Sequence, residues 1–154
     1  MASSLTVLSV DALRNAVADF FVSIYEKFST VQSVDEDKPA PTTIEDIYAI
    51  TYNLDGYKVV FENNNEFSRD ITYVNSDIII EFSQYTKDMY NKNVNTEDAE
   101  ISTTEINGTE AIIFLDNQNY YHIIINSDDY VFDISSNIGK DALIDIAESV
   151  QKVE

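Results

Sequence analysis

The pair Asn107-Gly108 sits between two alternating runs, Ser102 to Ile106 and Thr109 to Leu115. A two-residue hairpin of the type that matches strand twist needs positive φ at both central positions, and Asn-Gly supplies it at least cost. The punctuation continues downstream. Asp116 to Asn119 turns the chain into Tyr120 to Ile125, and Asn126 to Asp129 turns it into Tyr130 to Ser135. Connections this short join antiparallel neighbours, because a parallel crossover needs a dozen residues or more. The second half of the chain is therefore committed to an antiparallel sheet. In its last strand, alternation places Tyr130, Phe132 and Ile134 toward the core and Val131 and Asp133 outward.

The first half continues the pattern less regularly. Ile44 to Phe61 reads as extended: Tyr48, Ile50 and Tyr52 alternate, Asp55-Gly56 makes a turn, and Tyr57, Val59 and Phe61 alternate again. Glu62 to Glu66, with Asn63, Asn64 and Asn65, reads as a loop. Ile71 to Val74 is a short strand, Asn75 to Asp77 a turn, and Ile78, Ile80 and Phe82 open a longer strand. The polar segment Thr86 to Ala99 reads as an irregular excursion.

Helices are expected at both ends. Val10, Leu13, Val17, Phe20, Phe21, Ile24, Phe28 and Val31 form one stripe after the N-cap Ser9. Ser9 to Gln32 would be roughly 35 Å long at about 1.5 Å per residue. A dimeric coiled coil is conceivable for such a stripe, but bulky Phe over about three heptads favours docking on a sheet. Lys140 to Lys152 carries a second stripe of Leu143, Ile146, Ala147 and Val150, with Gly139 as N-cap and Asp141 in the first turn. Helix, strands, helix is an α+β order. The expected architecture is an antiparallel sheet of six to eight strands packed by a long N-terminal helix and a C-terminal helix. One domain spans 1–154, divided into the helix at 1–33, an acidic, proline-containing linker at 34–43, and the sheet with its helix at 44–154.

The charge narrows function. Twenty-eight acids against nine Lys and Arg give a net charge of −19. A phosphate backbone or an anionic membrane surface is repelled by such a chain, so nucleic acid is not an expected partner. Most of this charge serves solubility. The chain has no Cys, which removes disulfides, thiolate catalysis and Cys-based zinc sites. With Gly56, Gly108 and Gly139 its only glycines, it has no phosphate-cradling loop. It contains no apolar run long enough to span a bilayer, and Met1 to Val10 lacks the features of a signal peptide.

Candidate chemistry is thin. His122 is the only His, on the strand face opposite Tyr121 and Ile123, and without a second His or a Cys it cannot complete a transition-metal site. Asp116 to Asn119 offers oxygens but lacks the Gly and bidentate Glu of a calcium loop. The acidic groups at Asp35 to Asp37, Glu97 to Glu100 and Asp128-Asp129 single out no glycosidase pair. Eight tyrosines, Tyr48, Tyr52, Tyr57, Tyr73, Tyr85, Tyr120, Tyr121 and Tyr130, lie in or beside strands. Sheet packing accounts for them, although Tyr also favours interfaces. No catalytic, cofactor or metal residue is assigned.

Tyr52 to Val60 resembles the Tyr-x-Pro-x-Gly-Tyr strand–turn–strand of a bacterial domain family of unknown function. Members of that family form extracytoplasmic parts of anti-sigma-factor-like membrane proteins in low-GC Gram-positive bacteria. Ile71 to Tyr73 with Ile79 to Gln84, Asn95 to Glu97 with Ile106 to Ala111, and Tyr130 to Ile134 with Leu143 to Val150 resemble its later strands, hairpin and closing helix. Ala12 to Val17 and Ile24 to Phe28 resemble the segment after its membrane helix. Leu54 stands where Pro is usual, and Ile125 where Trp is common. The resemblance implies a non-enzymatic sensor or interaction domain at the cell surface, tethered by a membrane helix that precedes it in the natural protein. Its partner would be a protein or small ligand, met on the sheet face or the Thr86 to Ala99 excursion, and the chain itself would be a monomer or weak dimer. A small-ligand or lipid carrier is the alternative.

Overall fold

In the computed structural model, residues 19–20, 40–90 and 101–154 are described. They form nine strands and one helix: β1 (Tyr48–Ile50), β2 (Lys58–Asn64), β3 (Ser68–Asn75), β4 (Ile78–Thr86), β5 (Ile101–Ile106), β6 (Thr109–Leu115), β7 (Tyr121–Asn126), β8 (Tyr130–Ser136), α1 (Lys140–Glu148) and β9 (Val150–Lys152). Seven strands make one sheet in the order β2-β3-β4-β8-β7-β6-β5, and β1 and β9 form a two-stranded ribbon. Every pairing is antiparallel. Residues 40–90 and 101–154 are thus mostly antiparallel sheet with one short C-terminal helix. Among the described residues, no helix is long and apolar enough to cross a membrane.

Local turn chemistry sets the pairings. Asn107 and Gly108 have φ of 52° and 79°, as the hairpin between β5 and β6 requires. Ser76 takes φ 55° between β3 and β4, and Asn119 takes 65° between β6 and β7. Tyr57 N–H donates to Leu54 O at 2.9 Å, which closes the Asp55-Gly56 turn.

One sheet face is sealed. Ile80, Phe82, Ile113, Ile123, Phe132 and Ile134 meet Leu143, Ile144, Ile146 and Ala147 of α1 there. The segment that leads into β1 lies over the same face and is tied down by buried polar groups. The Tyr130 hydroxyl accepts from Glu45 N–H at 3.0 Å and Asp46 N–H at 3.2 Å. Gln84 donates to Asp46 O at 2.9 Å, and its Oε1 accepts from Tyr48 N–H at 3.3 Å. Arg69 donates to Tyr48 O at 2.7 Å. The Tyr48 ring lies 5.0 Å from Phe132 and 5.9 Å from Tyr130. Each buried polar atom here meets a backbone partner, which removes the penalty of burying it.

Four expectations change. First, β2 continues through Glu62, Asn63 and Asn64, which pair with Ile71, Asp70 and Arg69, so the expected loop is shorter. Polar residues are tolerated there because all seven β2 residues are exposed. Second, the helix ends at Glu148, not Lys152. Val150 to Lys152 instead pair with Tyr48 to Ile50, and Lys152 sits 3.0 Å from Asp46. The break is held by Thr51, whose N–H and hydroxyl both bond Ser149 O, and by Asn107, whose side chain donates to Glu148 O at 2.8 Å. Third, the Asp55-Gly56 turn forms, but the stretches on either side of it pair elsewhere, with β9 and β3. Fourth, Val131 and Asp133 are buried, at 0% and 6% exposure. Their strand is central, and its second face is also covered: Phe20, Ile101, Ile112, Phe114, Ile124 and Val131 form a second core with Tyr85 and Tyr90.

The expected N-terminal helix falls on residues outside the described ones, except for Asp19 and Phe20, which are helical. Residues 34–39 of the linker and 91–99 of the polar excursion also lie outside them. Thr86 belongs to β4, and residues 87–89 form a turn.

Candidate functional site

His122 is placed as the sequence predicts, on the second face of β7 and away from Tyr121 and Ile123. Its ring stacks on Phe114 at 4.7 Å with an interplanar angle of 1°. Its Nε2 is 2.8 Å from Asp116 Oδ2, and its Nδ1 is 3.9 Å from Asp133 Oδ1. The other oxygen of Asp116 accepts N–H bonds from Gln118 at 2.8 Å and Tyr120 at 3.0 Å. Burial pushes the Asp116 carboxyl up, but the His122 bond and these two N–H groups together outweigh it and hold it below its ordinary value. An ionised Asp116 can only accept, so His122 Nε2 carries the proton and donates. The His is a prop for the β6–β7 turn. Its cross-strand neighbour Ser135 donates to Glu81 at 3.2 Å, so it is aimed away from the imidazole.

The same face carries a polar ladder. Asp70, Ser83 and Asp133 are cross-strand neighbours, as are Thr72, Glu81, Ser135 and His122. Ser83 donates to Asp70 at 2.6 Å. Lys87 bonds the Asn126 carbonyl nearby. Burial, with the negative charge of Asp133 next and then Tyr85, pushes the Tyr90 phenol up. Among the described residues, no three His, Asp or Glu side chains converge as a metal-holding group.

The open apolar surface lies at the sheet edge. Strand β2 pairs only with β3 among the described residues. Val59, Val60 and Phe61 are 53%, 60% and 55% exposed, and they are consecutive. A regular strand would put Val59 and Phe61 on one face. Here Val59 faces Tyr73 and Phe61 faces Thr72, with Val60 as the extra residue of a bulge. The bulge therefore gives each face of the edge one large apolar side chain. On the second face the patch continues into the partly exposed Thr72, Val74 and Ile79. The sequence pattern places Val59 and Phe61 in an alternating strand, and neither is singled out by it. Three adjacent large apolar residues beside an asparagine run were the available signal.

With this geometry in view, the comparison with protein families is decisive. The chain belongs to the family described as a domain of unknown function, DUF4367. The match covers residues 47–150. In this DUF4367 chain it takes in all seven strands of the main sheet and α1. No curated protein and no solved structure matches the chain. The matched span includes Lys58 to Asn64, so the open edge lies inside the family domain.

Proposed function

We propose that this DUF4367 domain is a non-enzymatic interaction module, the extracytoplasmic part of a membrane-tethered regulator resembling anti-sigma factors. The exposed run Val59, Val60 and Phe61 carries the reading. Large apolar residues grouped on an otherwise charged surface mark a site of association. Two further observations support it. His122, Asp116, Arg69 and Gln84 are all engaged in holding turns and the β1 segment. The resemblance of the strand–turn–strand and closing helix points to an extracytoplasmic, signalling setting.

The chain has no Cys, so once any thiols elsewhere in the natural protein are replaced by Ser, one thiol introduced here reports on its compartment. Val60→Cys in the full natural protein should react with a membrane-impermeant maleimide in intact cells. Labelling only after lysis would remove the extracytoplasmic assignment. A photo-crosslinker at Phe61 should trap one protein partner, and loss of the domain should change the transcription of a defined gene set. An unchanged transcript profile would remove the regulatory role.

A further inference from the structure

We infer that the outer edge of β2 receives an extended protein segment that adds a strand to the sheet and alternates basic with apolar residues. This rests on the interaction reading above and names the surface and the partner's chemistry. An edge strand presents a row of unpaired N–H and C=O groups, which pair with any extended backbone of suitable side chains. Proteins ordinarily blunt such edges with charges and bulges. Here Lys58, Glu62 and the Val60 bulge supply that protection, yet three large apolar side chains are left in water. The opposite edge differs, because in β5 Ile101, Thr104 and Ile106 are buried.

The side chains of β2 specify what fits. Phe61 lies on the second face, beside Thr72, where an apolar neighbour on the added strand would cover it. Glu62 lies on the other face, opposite Ile71, where a Lys or Arg on the added strand would pair with it. Adjacent residues of a strand point to opposite faces, so a segment meeting both needs apolar and basic residues in alternation. The surroundings have the same sign. Asp55, Glu62, Glu66, Asp70 and Asp77 lie in and around β2, and Lys58 is the one cationic residue between Gly56 and Ser68. Arg69 is buried and committed to Tyr48 O and Gln84. A second copy of this chain is a poor occupant, since each copy carries a net charge of −19.

The test is selection of a displayed library of random heptapeptides on the 154-residue chain, with Phe61→Glu and Glu62→Lys as counter-targets. Enriched peptides should alternate basic and apolar residues and shift the amide resonances of Lys58 to Asn64. Binding should weaken at least tenfold for each variant. It should also weaken tenfold when alternate backbone amides of the peptide are N-methylated, which keeps charge and removes strand pairing. Both substituted positions are exposed, and an unchanged denaturation midpoint confirms folding. If Phe61→Glu unfolds the chain, Glu62→Lys and the methylated peptides decide alone. Resonance shifts on the second face around Glu81 and Ser135 would overturn the β2 assignment while leaving the interaction reading intact. Acidic or non-alternating peptides would overturn the proposed partner chemistry. No enrichment, or self-association lost in Phe61→Glu, would overturn the proposal as well.

Discussion

Replacing Tyr130 by Phe removes one oxygen and leaves the ring. That ring is fully buried and packs on Tyr48 and Phe132, so no cavity larger than the hydroxyl opens. The lost oxygen accepts two N–H bonds, from Glu45 at 3.0 Å and Asp46 at 3.2 Å. Each bond contributes about 1 kcal/mol net, and an orphaned donor costs somewhat more where water cannot reach it. Both donors are only partly buried, which keeps the sum near about 2 kcal/mol. For a domain of this length that lowers Tm by roughly 4–8 °C. The loss should be local as well as global. Glu45 and Asp46 amides should exchange faster with deuterium by a local opening, while those of β7 and β8 should speed up only as far as the loss of global stability dictates. Urea denaturation and native-state exchange read the two effects. A change under about 0.5 kcal/mol, with unaltered exchange at residues 45 and 46, would show that the hydroxyl does not hold the segment before β1.

Three further outcomes follow from the same geometry. Gly108→Ala meets no atom within 4 Å of the added Cβ, so its cost is the left-handed backbone alone, about 1 kcal/mol by urea denaturation. Leu143→Ala empties a fully buried position of α1 and should cost about 2–5 kcal/mol; a loss below about 1 kcal/mol would mean that the helix does not dock as described. Asp116→Asn should cost about 1 kcal/mol, and the cost should depend on pH. The folded carboxyl is held below its ordinary value of 3.8, so its stabilisation is present above that value and lost as pH falls through the folded value. The gap between parent and variant at about pH 5 should therefore narrow by about pH 2.5, and a gap that widens would refute the assignment.

The turns were legible because their cost is local. Asn107, Gly108 and the Asn75 to Asp77 corner each need particular φ values, and the residue types declare it. The helix end was not legible. Val150 continues the stripe of Leu143, Ile146 and Ala147, and nothing nearby says that it leaves the helix. Its competitor is pairing with Ile50, a contact 100 residues away in sequence. Val131 and Asp133 were misplaced for a related reason. Alternation assigns a strand's two faces but does not say which of them is covered. β8 is central, and Phe20 and Tyr90 belong to the core on its second face, so all seven of its residues are buried.

The candidate site was hidden by the same rule of two. Val59 and Phe61 look like one face of an alternating strand, and a register without a bulge would put both beside the sealed core. The bulge at Val60 shifts the parity by one. Phe61 moves to the second face, Glu62 takes the first, and the edge presents apolar and charged groups on both sides. A strand that merely closed the sheet would gain from a regular register, with Val59 and Phe61 both turned inward. The irregular register leaves apolar area in water on each side of the edge. That exposure destabilises the isolated domain, and pairing with an added strand on β2 would recover it.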